Sequence, residues 1–95
     1  MKAGTKQKEE TSHEFSVDDI DVLAANLVVH NDNVNTFDWV IRTLVEVCEH
    51  SSEQAEQCSL LIHYKGKCAV KSGSYEELHD KRLAIVDRGI NATIE

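Results

Sequence analysis

The spacing of the apolar residues after Asn26 constrains the fold more than any other feature of the chain. From this point to the last residue, segments with apolar residues at helical intervals alternate with short segments that have the character of β-strands. Residues 1–22 differ, because their apolar residues are few and scattered among charged ones. We therefore expect a flexible N-terminal extension over residues 1–25, followed by one folded domain over residues 26–95.

Three short segments are predicted to be β-strands. Leu27–His30 is rich in β-branched residues and ends at the turn-forming segment Asn31–Asn33. Lys67–Ser72 alternates between apolar and polar side chains, and the alternation over Ile90–Glu95 is strict. Such alternation is typical of antiparallel strands that have one face on the core and the other in water.

Three further segments have the spacing and the terminal signals of helices. The first is predicted from about residue 36 to 49 after a cap at Asn35 or Thr36, the second from a cap at Ser51 or Ser52 to Gly66, and the third from Ser74 to Gly89. Their predicted apolar faces contain Phe37, Val40, Ile41, Leu44 and Cys48 in the first helix, Ala55, Cys58, Leu61 and Ile62 in the second, and Leu78, Ile85 and Val86 in the third. The resulting order, β-α-α-β-α-β, predicts an α+β fold in which a three-stranded, mainly antiparallel sheet carries three helices on one face.

The charge of the chain excludes two classes of partner. Ten Lys and Arg residues against seventeen Asp and Glu residues give a net charge of −7. Because affinity for nucleic acid comes mainly from basic contacts to phosphate, we expect no nucleic-acid partner and no binding to an anionic membrane surface. The first residues are charged and the apolar runs are short, so neither a secretory signal nor a membrane span is predicted, and we expect a cytoplasmic protein.

The cysteines and histidines do not match a metal site. Cys48, Cys58 and Cys68 include no Cys-x-x-Cys pair, and none of the histidines stands at zinc-site spacing from them. We therefore expect no metal and no cofactor, and we expect the cysteines to be small buried residues. One alternative is an enzyme with Cys58 as nucleophile and His63 as base, although the sequence lacks a glycine-rich oxyanion loop and an orienting acid.

Two polar features indicate a candidate ligand site. Asn31–Asn33 follows the first predicted strand, and His63 lies near the end of the second predicted helix. Each has an ordinary structural explanation by itself, since Asn and Asp form turns and a histidine is favoured at a helix C-terminus. Together, amide and carboxylate acceptors and a histidine could meet beside apolar residues of two helices. Such a site would suit a ligand with a cationic, hydrogen-bonding head and an apolar side chain.

Two segments of the chain resemble the signatures of a known family. The segment Leu27–Ile41 (LVVHNDNVNTFDWVI) resembles the first signature of the ClpS adaptors, which deliver N-end-rule substrates to a Clp protease. Their second signature, a helix followed by a histidine and a glycine turn, is similar to Ala55–Lys67 (AEQCSLLIHYKGK). The resemblance covers about residues 26–95 and implies a ClpS-like adaptor core, which is a binding protein rather than an enzyme.

The resemblance implies capture of a protein whose first residue is Leu, Phe, Tyr or Trp. It assigns the free α-amino group of that residue to Asn31, Asp32, Asn33 and His63. It assigns the first side chain to a hydrophobic pocket formed by Val29, Val34, Asn35, Phe37, Val40, Ser59, Ile62 and Ile90. An internal or acetylated residue lacks the cationic amine, so such a site would recognise the end of a chain rather than a sequence.

The chain departs from the family pattern in the loop, where Val34-Asn35-Thr36-Phe37 stands in place of Tyr-Thr-Pro-Met, and at Asn33 and Ser59. The third predicted helix is also shorter than is usual in the family. Asn33 stands where the family commonly has a second aspartate, so that one loop carboxylate is absent. Phe37 and Ser59 stand where the family has methionines. We expect Ser59 to leave more room for a β-branched first residue, Ile or Val, than a methionine would.

The resemblance also implies a docking partner, the N-terminal domain of a ClpA- or ClpC-type unfoldase. Glu77 and Arg82 fall at the charged docking positions of the family, and residues 1–25 correspond in character to the tail used at the unfoldase pore. We expect a monomeric adaptor whose partners are this unfoldase and N-degron proteins. The remaining alternative is an interaction domain that resembles the C-terminal domain of the ribosomal stalk protein, which has a similar fold.

Overall fold

The computed structural model describes residues 25–95 of the chain. The elements in this range are, in order, strand β1 (Ala25–His30), helix α1 (Phe37–Cys48), helix α2 (Ser52–Lys65), strand β2 (Lys67–Gly73), helix α3 (Tyr75–Asp87) and strand β3 (Ala92–Ile94). The predicted β-α-α-β-α-β order is confirmed. The extension predicted for residues 1–25 lies outside the described residues except for Ala25, which is the first residue of β1.

The sheet over residues 25–95 has the order β2-β1-β3, with β1 in the centre and antiparallel to both neighbours. Val29 of β1 pairs with Cys68 on one side and with Ala92 on the other. A bulge interrupts the register between β1 and β2, because Leu27 pairs with Lys71 whereas Val28 pairs with Ala69. The predicted three-stranded antiparallel sheet is therefore confirmed within this range. Since β1 is central, the loop that follows it begins in the middle of the sheet.

One core connects the sheet to the three helices of residues 25–95. Its buried residues are Leu27, Val29, Leu44, Cys48, Ala55, Ile62, Val70, Leu78, Ile85, Ile90 and Ala92. Since residues from β1–β3 and from all of α1–α3 belong to a single cluster, the helices lie on one face of the sheet, as predicted. The longest of these helices has 14 residues, and none in the described range is long and apolar enough to cross a bilayer.

The predicted apolar faces are wrong at some positions. In α2 the buried residues are Ala55, Ser59 and Ile62, whereas Leu61 is exposed. At 3.6 residues per turn, Leu61 lies well over a quarter turn from the centre of this face, so its apolar character does not bury it. Val86 of α3 is exposed for the same reason, since it follows the buried Ile85 directly.

The prediction that all three cysteines are buried is only partly right. Cys48 is buried, whereas Cys58 and Cys68 are half-buried. All three are free thiols. Within the described residues, His, Cys, Asp and Glu side chains do not form any group of three or more that could hold a metal ion.

Side-chain caps fix where the helices begin. The hydroxyl oxygens of Thr36, Ser51 and Ser74 each accept a hydrogen bond of 3.1 Å from the backbone N–H three residues later. This arrangement satisfies one of the free N–H groups of the first helical turn. At the other end of α2, Gly66 has φ 94°, a left-handed conformation that favours glycine, and ends the helix. The predicted helix starts and the glycine stop are confirmed, and they fix His63 in the last turn of α2.

Candidate functional site

A cavity of about 340 Å³ opens between the loop after β1, the first turn of α1 and the second half of α2. The loop begins at the carboxyl end of the central strand, and the two helices pack against each other beside it. The cavity is lined by Asn31, Asp32, Asn33, Asn35, Thr36, Phe37, Val40, Ser59, Ile62 and His63. Its volume lies in the range of small-molecule pockets, about 300–1,000 Å³.

The lining residues divide into a mouth and a floor. The mouth consists of the exposed residues Asn31, Asn33, Thr36, Phe37 and His63 and of the half-buried loop residues Asp32 and Asn35. The floor consists of Val40, which is half-buried, and of Ser59 and Ile62, which are buried. Polar acceptors therefore surround the opening, whereas two of the three floor side chains are aliphatic.

Helix α2 contributes to both parts of the cavity. Ser59 and His63 are four residues apart, so they lie on the same side of the helix at an axial separation of about 6 Å. His63 packs edge-on against Tyr64, with 4.8 Å between the ring centroids. A ligand that contacts His63 at the mouth would therefore need to extend about one helical turn to contact Ser59 at the floor.

The Asp32 carboxylate organises the loop of the mouth. Its Oδ1 atom accepts hydrogen bonds of 2.9 Å from the backbone N–H groups of Val34 and Asn35. Its Oδ2 atom accepts a hydrogen bond of 2.7 Å from the side-chain amide of Asn35. These contacts form a turn closed by an aspartate side chain, so Asp32 holds the loop in shape as well as lining the cavity.

Two further hydrogen bonds fasten the loop to the rest of the domain. Asn35 Nδ2 donates to the carbonyl oxygen of Gly89, at 2.8 Å, and so connects the loop to the end of α3. The backbone N–H of Asn31 donates to the carbonyl oxygen of Gly66, at 2.9 Å, and so connects it to the turn after α2. Asn31 and His63 are therefore held on adjoining backbone segments at the mouth.

The mouth carries a negative charge. The backbone hydrogen bond from Asn35 is the main cause that lowers the pKa of the Asp32 carboxyl below its ordinary value, against the opposing effect of burial. The hydrogen bond from Val34 lowers the pKa further. Asp32 is therefore ionised at neutral pH, and its charge favours a cation at the mouth.

The structure brings most of the predicted site residues together but places three elsewhere. Val29 and Ile90 are 1 % and 3 % exposed and belong to the core. Val34 is 86 % exposed and lies on the surface of the loop. None of the three lines the cavity, because apolar character alone does not distinguish a cavity wall from a core or a loop surface.

One residue of the lining was not predicted. Thr36 contributes to the mouth, although its sequence signal was that of a helix cap. It has both roles, since its Oγ1 atom accepts a hydrogen bond from Trp39 while the residue lines the cavity. Its position between Asn35 and Phe37, which were both predicted to belong to the site, was the signal that could have indicated it.

Comparison with known proteins identifies the family of this fold. A family model of the ATP-dependent Clp protease adaptor protein ClpS matches residues 24–92. The chain belongs to the ClpS family. This membership favours the adaptor over the alternative of a domain related to the ribosomal stalk.

Two curated ClpS proteins and one solved ClpS structure are similar to the chain. The ClpS adapter of Streptomyces coelicolor is 32 % identical over 90 residues, which cover 94 % of this chain and 93 % of that protein. The ClpS adapter of Streptomyces avermitilis is also 32 % identical over 90 residues, which cover 94 % of this chain and 85 % of that protein. The structure of Agrobacterium tumefaciens ClpS2 bound to L-phenylalaninamide superposes with a TM-score of 0.72 at 18 % identity and covers 75 % of this chain and 93 % of that one. At this identity the structural likeness establishes the ClpS fold.

The two positions predicted for unfoldase docking lie on α3. Glu77 is exposed in the first turn, and Arg82 is half-buried. The Nε atom of Arg82 donates a hydrogen bond of 2.8 Å to the carbonyl oxygen of Ala92, so this side chain also connects α3 to β3. Five residues separate the two positions, which places them about 140° apart around the helix. A docking role for this pair stays a prediction.

The thiol of Cys58 is unsuited to the role of a nucleophile. Burial is the main cause that raises its pKa to about 11, and the neighbouring Cys68 thiol adds to the effect. The reactive form of cysteine is the thiolate, and the raised pKa keeps Cys58 mainly in the thiol form at neutral pH. His63 lines the cavity and Cys58 does not. These observations disfavour the predicted alternative of a Cys-His enzyme.

Proposed function

We propose that this protein is a monomeric cytoplasmic adaptor that binds the free N-terminal residue of N-end-rule substrates and delivers them to a Clp unfoldase and its protease. The first residues that it binds are Leu, Phe, Tyr and Trp. The observation that carries the proposal is the cavity itself, whose acceptor-lined mouth lies directly above a largely aliphatic floor. A chain end that combines an ammonium group with a large apolar side chain matches both parts.

The mouth supplies the chemistry that an α-amino group requires. An N-terminal amine has a pKa of about 7.7–8.0 and is therefore mostly cationic at pH 7. It carries donors only, so it needs acceptors such as the side-chain carbonyl oxygen of Asn31 and a ring nitrogen of His63. Hydrogen bonds to a charged group contribute about 1.5–3 kcal/mol each. The ionised Asp32 carboxylate adds an attraction that an acetylated chain end does not experience.

The floor supplies the selectivity for the first side chain. Val40, Ser59 and Ile62 are held by the packing of α1 against α2, so the floor is formed before a ligand arrives. Burial of a Leu or Phe side chain contributes about 1.5–3 kcal/mol relative to leaving it in water. Charged or small first residues gain little from such a floor, and they would bind weakly.

The solved relative supports this assignment. L-phenylalaninamide, which is bound to Agrobacterium tumefaciens ClpS2 in the solved structure, is a single phenylalanine with a free α-amino group and an amide in place of its carboxylate. It therefore carries the amine and the apolar side chain of a substrate N-terminus without a negative charge next to them. These are the two features that the mouth and the floor of this cavity match.

Peptide binding tests the proposal. A series of peptides with one shared sequence, a C-terminal fluorophore and a variable first residue is titrated with the protein, and binding is followed by fluorescence anisotropy. Peptides that begin with Leu, Phe, Tyr or Trp should bind, and the N-acetylated Phe peptide should bind roughly a hundredfold more weakly or not at all, because acetylation removes the charge and two donors. Equal affinity for the free and the acetylated peptide would overturn the assignment of the mouth.

Delivery is a second part of the proposal and needs a separate test. We assign docking to the N-terminal domain of a ClpA- or ClpC-type unfoldase, with Glu77 and Arg82 of α3 as docking residues and the extension before β1 at the unfoldase pore. Degradation of a fluorescent protein with an N-terminal Leu is followed with purified unfoldase, protease and ATP. Deletion of residues 1–22 should stop degradation while peptide affinity stays the same. Normal degradation by the truncated protein would refute the role of the extension.

A further inference from the structure

Ser59 at the floor of the cavity has a hydroxyl group without a hydrogen-bond partner in the described part of the chain. The residue is 2 % exposed, and its Oγ atom is closed to water. A buried hydroxyl that lacks a partner costs about 1–3 kcal/mol of stability, so such groups are uncommon in folded proteins. Because Ser59 also lines the cavity, a ligand bound there would be close enough to supply the missing partner.

The position of Ser59 identifies which part of a ligand would reach it. It lies on the same side of α2 as His63, about 6 Å further along the helix axis and away from the mouth. A first residue whose amine is held at the mouth extends its side chain toward the floor, so the tip of the side chain approaches Ser59. Rotation of the serine side chain between its staggered rotamers can then turn the hydroxyl toward the cavity without moving the helix.

The four predicted first residues differ at this tip. Leu and Phe end in carbon atoms, and the N–H group of Trp lies on the side of the indole ring rather than at its end. Tyr ends in a phenolic hydroxyl, which can both donate and accept a hydrogen bond. Only tyrosine therefore places a hydrogen-bonding group where the Ser59 hydroxyl lacks one.

We infer that Ser59 is a specificity-determining residue that makes this cavity prefer an N-terminal tyrosine over phenylalanine through a hydrogen bond between the two hydroxyl groups. The inference rests on the proposed function and deepens it, because it ranks two residues that an aliphatic floor alone would hardly distinguish. A net hydrogen bond of ordinary strength corresponds to roughly a two- to twelve-fold difference in affinity.

A second buried hydroxyl provides a matched control. Thr43 of α1 is fully buried, and its Oγ1 atom also has no hydrogen-bond partner within residues 25–95. Unlike Ser59, it does not line the cavity. Loss of the Thr43 hydroxyl removes the same kind of unsatisfied group from the core without changing the floor.

The test compares three peptides that share one sequence and begin with Tyr, Phe or 4-methylphenylalanine, which has the size of Tyr but lacks the hydroxyl. Dissociation constants are measured by anisotropy for the wild type, Ser59→Ala and Thr43→Val, and thermal unfolding verifies that each variant is folded. The wild type and Thr43→Val should prefer Tyr over both other peptides by the same factor, roughly two- to twelve-fold. In Ser59→Ala this preference should disappear. If Ser59→Ala does not fold, Ser59→Cys keeps a side chain of similar size with a much weaker donor and should reduce the preference as well.

The outcomes separate this inference from the function on which it rests. If the wild type binds the Tyr and Phe peptides equally, or if Ser59→Ala keeps the preference for Tyr, the role of Ser59 is refuted and the adaptor function stands. If none of the three peptides binds to the wild type, both the role of Ser59 and the proposed function are refuted. If the wild type prefers the 4-methylphenylalanine and Tyr peptides over the Phe peptide by the same factor, the preference depends on size and the hydrogen bond is refuted.

Discussion

The mouth and the floor of the cavity differ in how they are built. The mouth is a loop whose shape depends on polar contacts, with the Asp32 carboxylate accepting three hydrogen bonds and Asn35 connecting the loop to Gly89. The floor consists of side chains on two helices that pack around a shared core. If the proposed function is correct, this contrast makes recognition of the amine physically separable from recognition of the first side chain. Changes at the mouth should affect every peptide, whereas changes at the floor should alter the ranking of peptides.

The largest effect is expected from the two acceptors of the mouth. Asn31→Ala and His63→Ala should each weaken the binding of Leu and Phe peptides by roughly ten- to hundred-fold, since each removes a hydrogen bond to a charged amine. Both side chains are exposed, so the melting temperature should change by less than about 5 °C, which corresponds to roughly 1 kcal/mol for a domain of this size. Anisotropy titration and thermal unfolding measure the two quantities.

Residues of the same types outside the cavity are suitable controls for these variants. Asn91 is exposed in the turn before β3, and His79 lies on α3, where it stacks on Tyr75. Asn91→Ala and His79→Ala should leave peptide affinity unchanged. A loss of binding that occurs only together with a melting temperature lowered by more than about 5 °C would mean that Asn31 or His63 supports the fold rather than the ligand.

The second effect is expected at the floor and should be selective. Ser59→Met replaces a side chain of two heavy atoms by one of four at the floor of the cavity. Overpacking of such a site costs about 1–3 kcal/mol. A β-branched first residue has its bulk close to the backbone and fits a crowded wall badly. Binding of an Ile peptide should therefore fall by this amount, and binding of a Leu peptide should fall less. The two peptides are titrated side by side with wild type and variant.

Two results would contradict the selective effect. An unchanged ratio of Ile to Leu affinity would mean that Phe37, which is 38 % exposed and lines the same cavity, already limits the space. An equal loss for both peptides would mean that the methionine closes the cavity rather than shaping it. Leu60→Met supplies a control on the same helix, because Leu60 is half-buried and does not line the cavity.

The predictions for the mouth and the floor failed in different ways. Thr36 of the mouth was missed, whereas the floor residues were all predicted but together with residues that do not line the cavity. Each polar feature has an ordinary structural explanation by itself, but the loop and His63 together resemble a known signature, so the sequence predicts that Asn31, Asn33 and His63 belong to one site. The floor was harder, because an apolar residue such as Val29 or Ile90 suits a core as well as a cavity wall. Only the packing distinguishes these two environments.

The periodicity and the capping residues of the sequence predicted the order and the starts of the elements. The order of strands and helices and the caps at Ser51 and Ser74 were correct, since both depend on residues close together in sequence. The burial of Ser59 in place of Leu61 was missed because the prediction followed apolar character. At 3.6 residues per turn, Ser59 lies within the face formed by Ala55 and Ile62, and Leu61 lies outside it.

A smaller effect is expected from Asp32, which supports the mouth. In Asp32→Asn the side-chain oxygen can still accept from the backbone of the loop, but its amide faces the amide of Asn35, which is also a donor. The free energy of unfolding should fall by about 1 kcal/mol, and peptide affinity should fall for every first residue alike. Urea unfolding and anisotropy measure the two effects. Asp80→Asn, at an exposed position of α3, serves as the control and should change neither. A lower affinity for only one of the peptides would contradict the separation of mouth and floor.

The smallest effect concerns the dependence of this stabilisation on pH. The pKa of Asp32 in the folded protein lies below the ordinary value of 3.8, chiefly because of the backbone hydrogen bond from Asn35. A carboxyl whose pKa is lowered by folding contributes stability above its unfolded pKa and loses that contribution as the pH falls through its folded pKa. The difference in unfolding free energy between wild type and Asp32→Asn should therefore be constant from pH 7 to about 5 and should shrink below 3.8. Urea titrations of both proteins at closely spaced pH values give this difference directly. A difference that stays constant into strong acid would mean that the shape of the Asp32 side chain, and not its charge, holds the loop. The charge would then act only on the ligand.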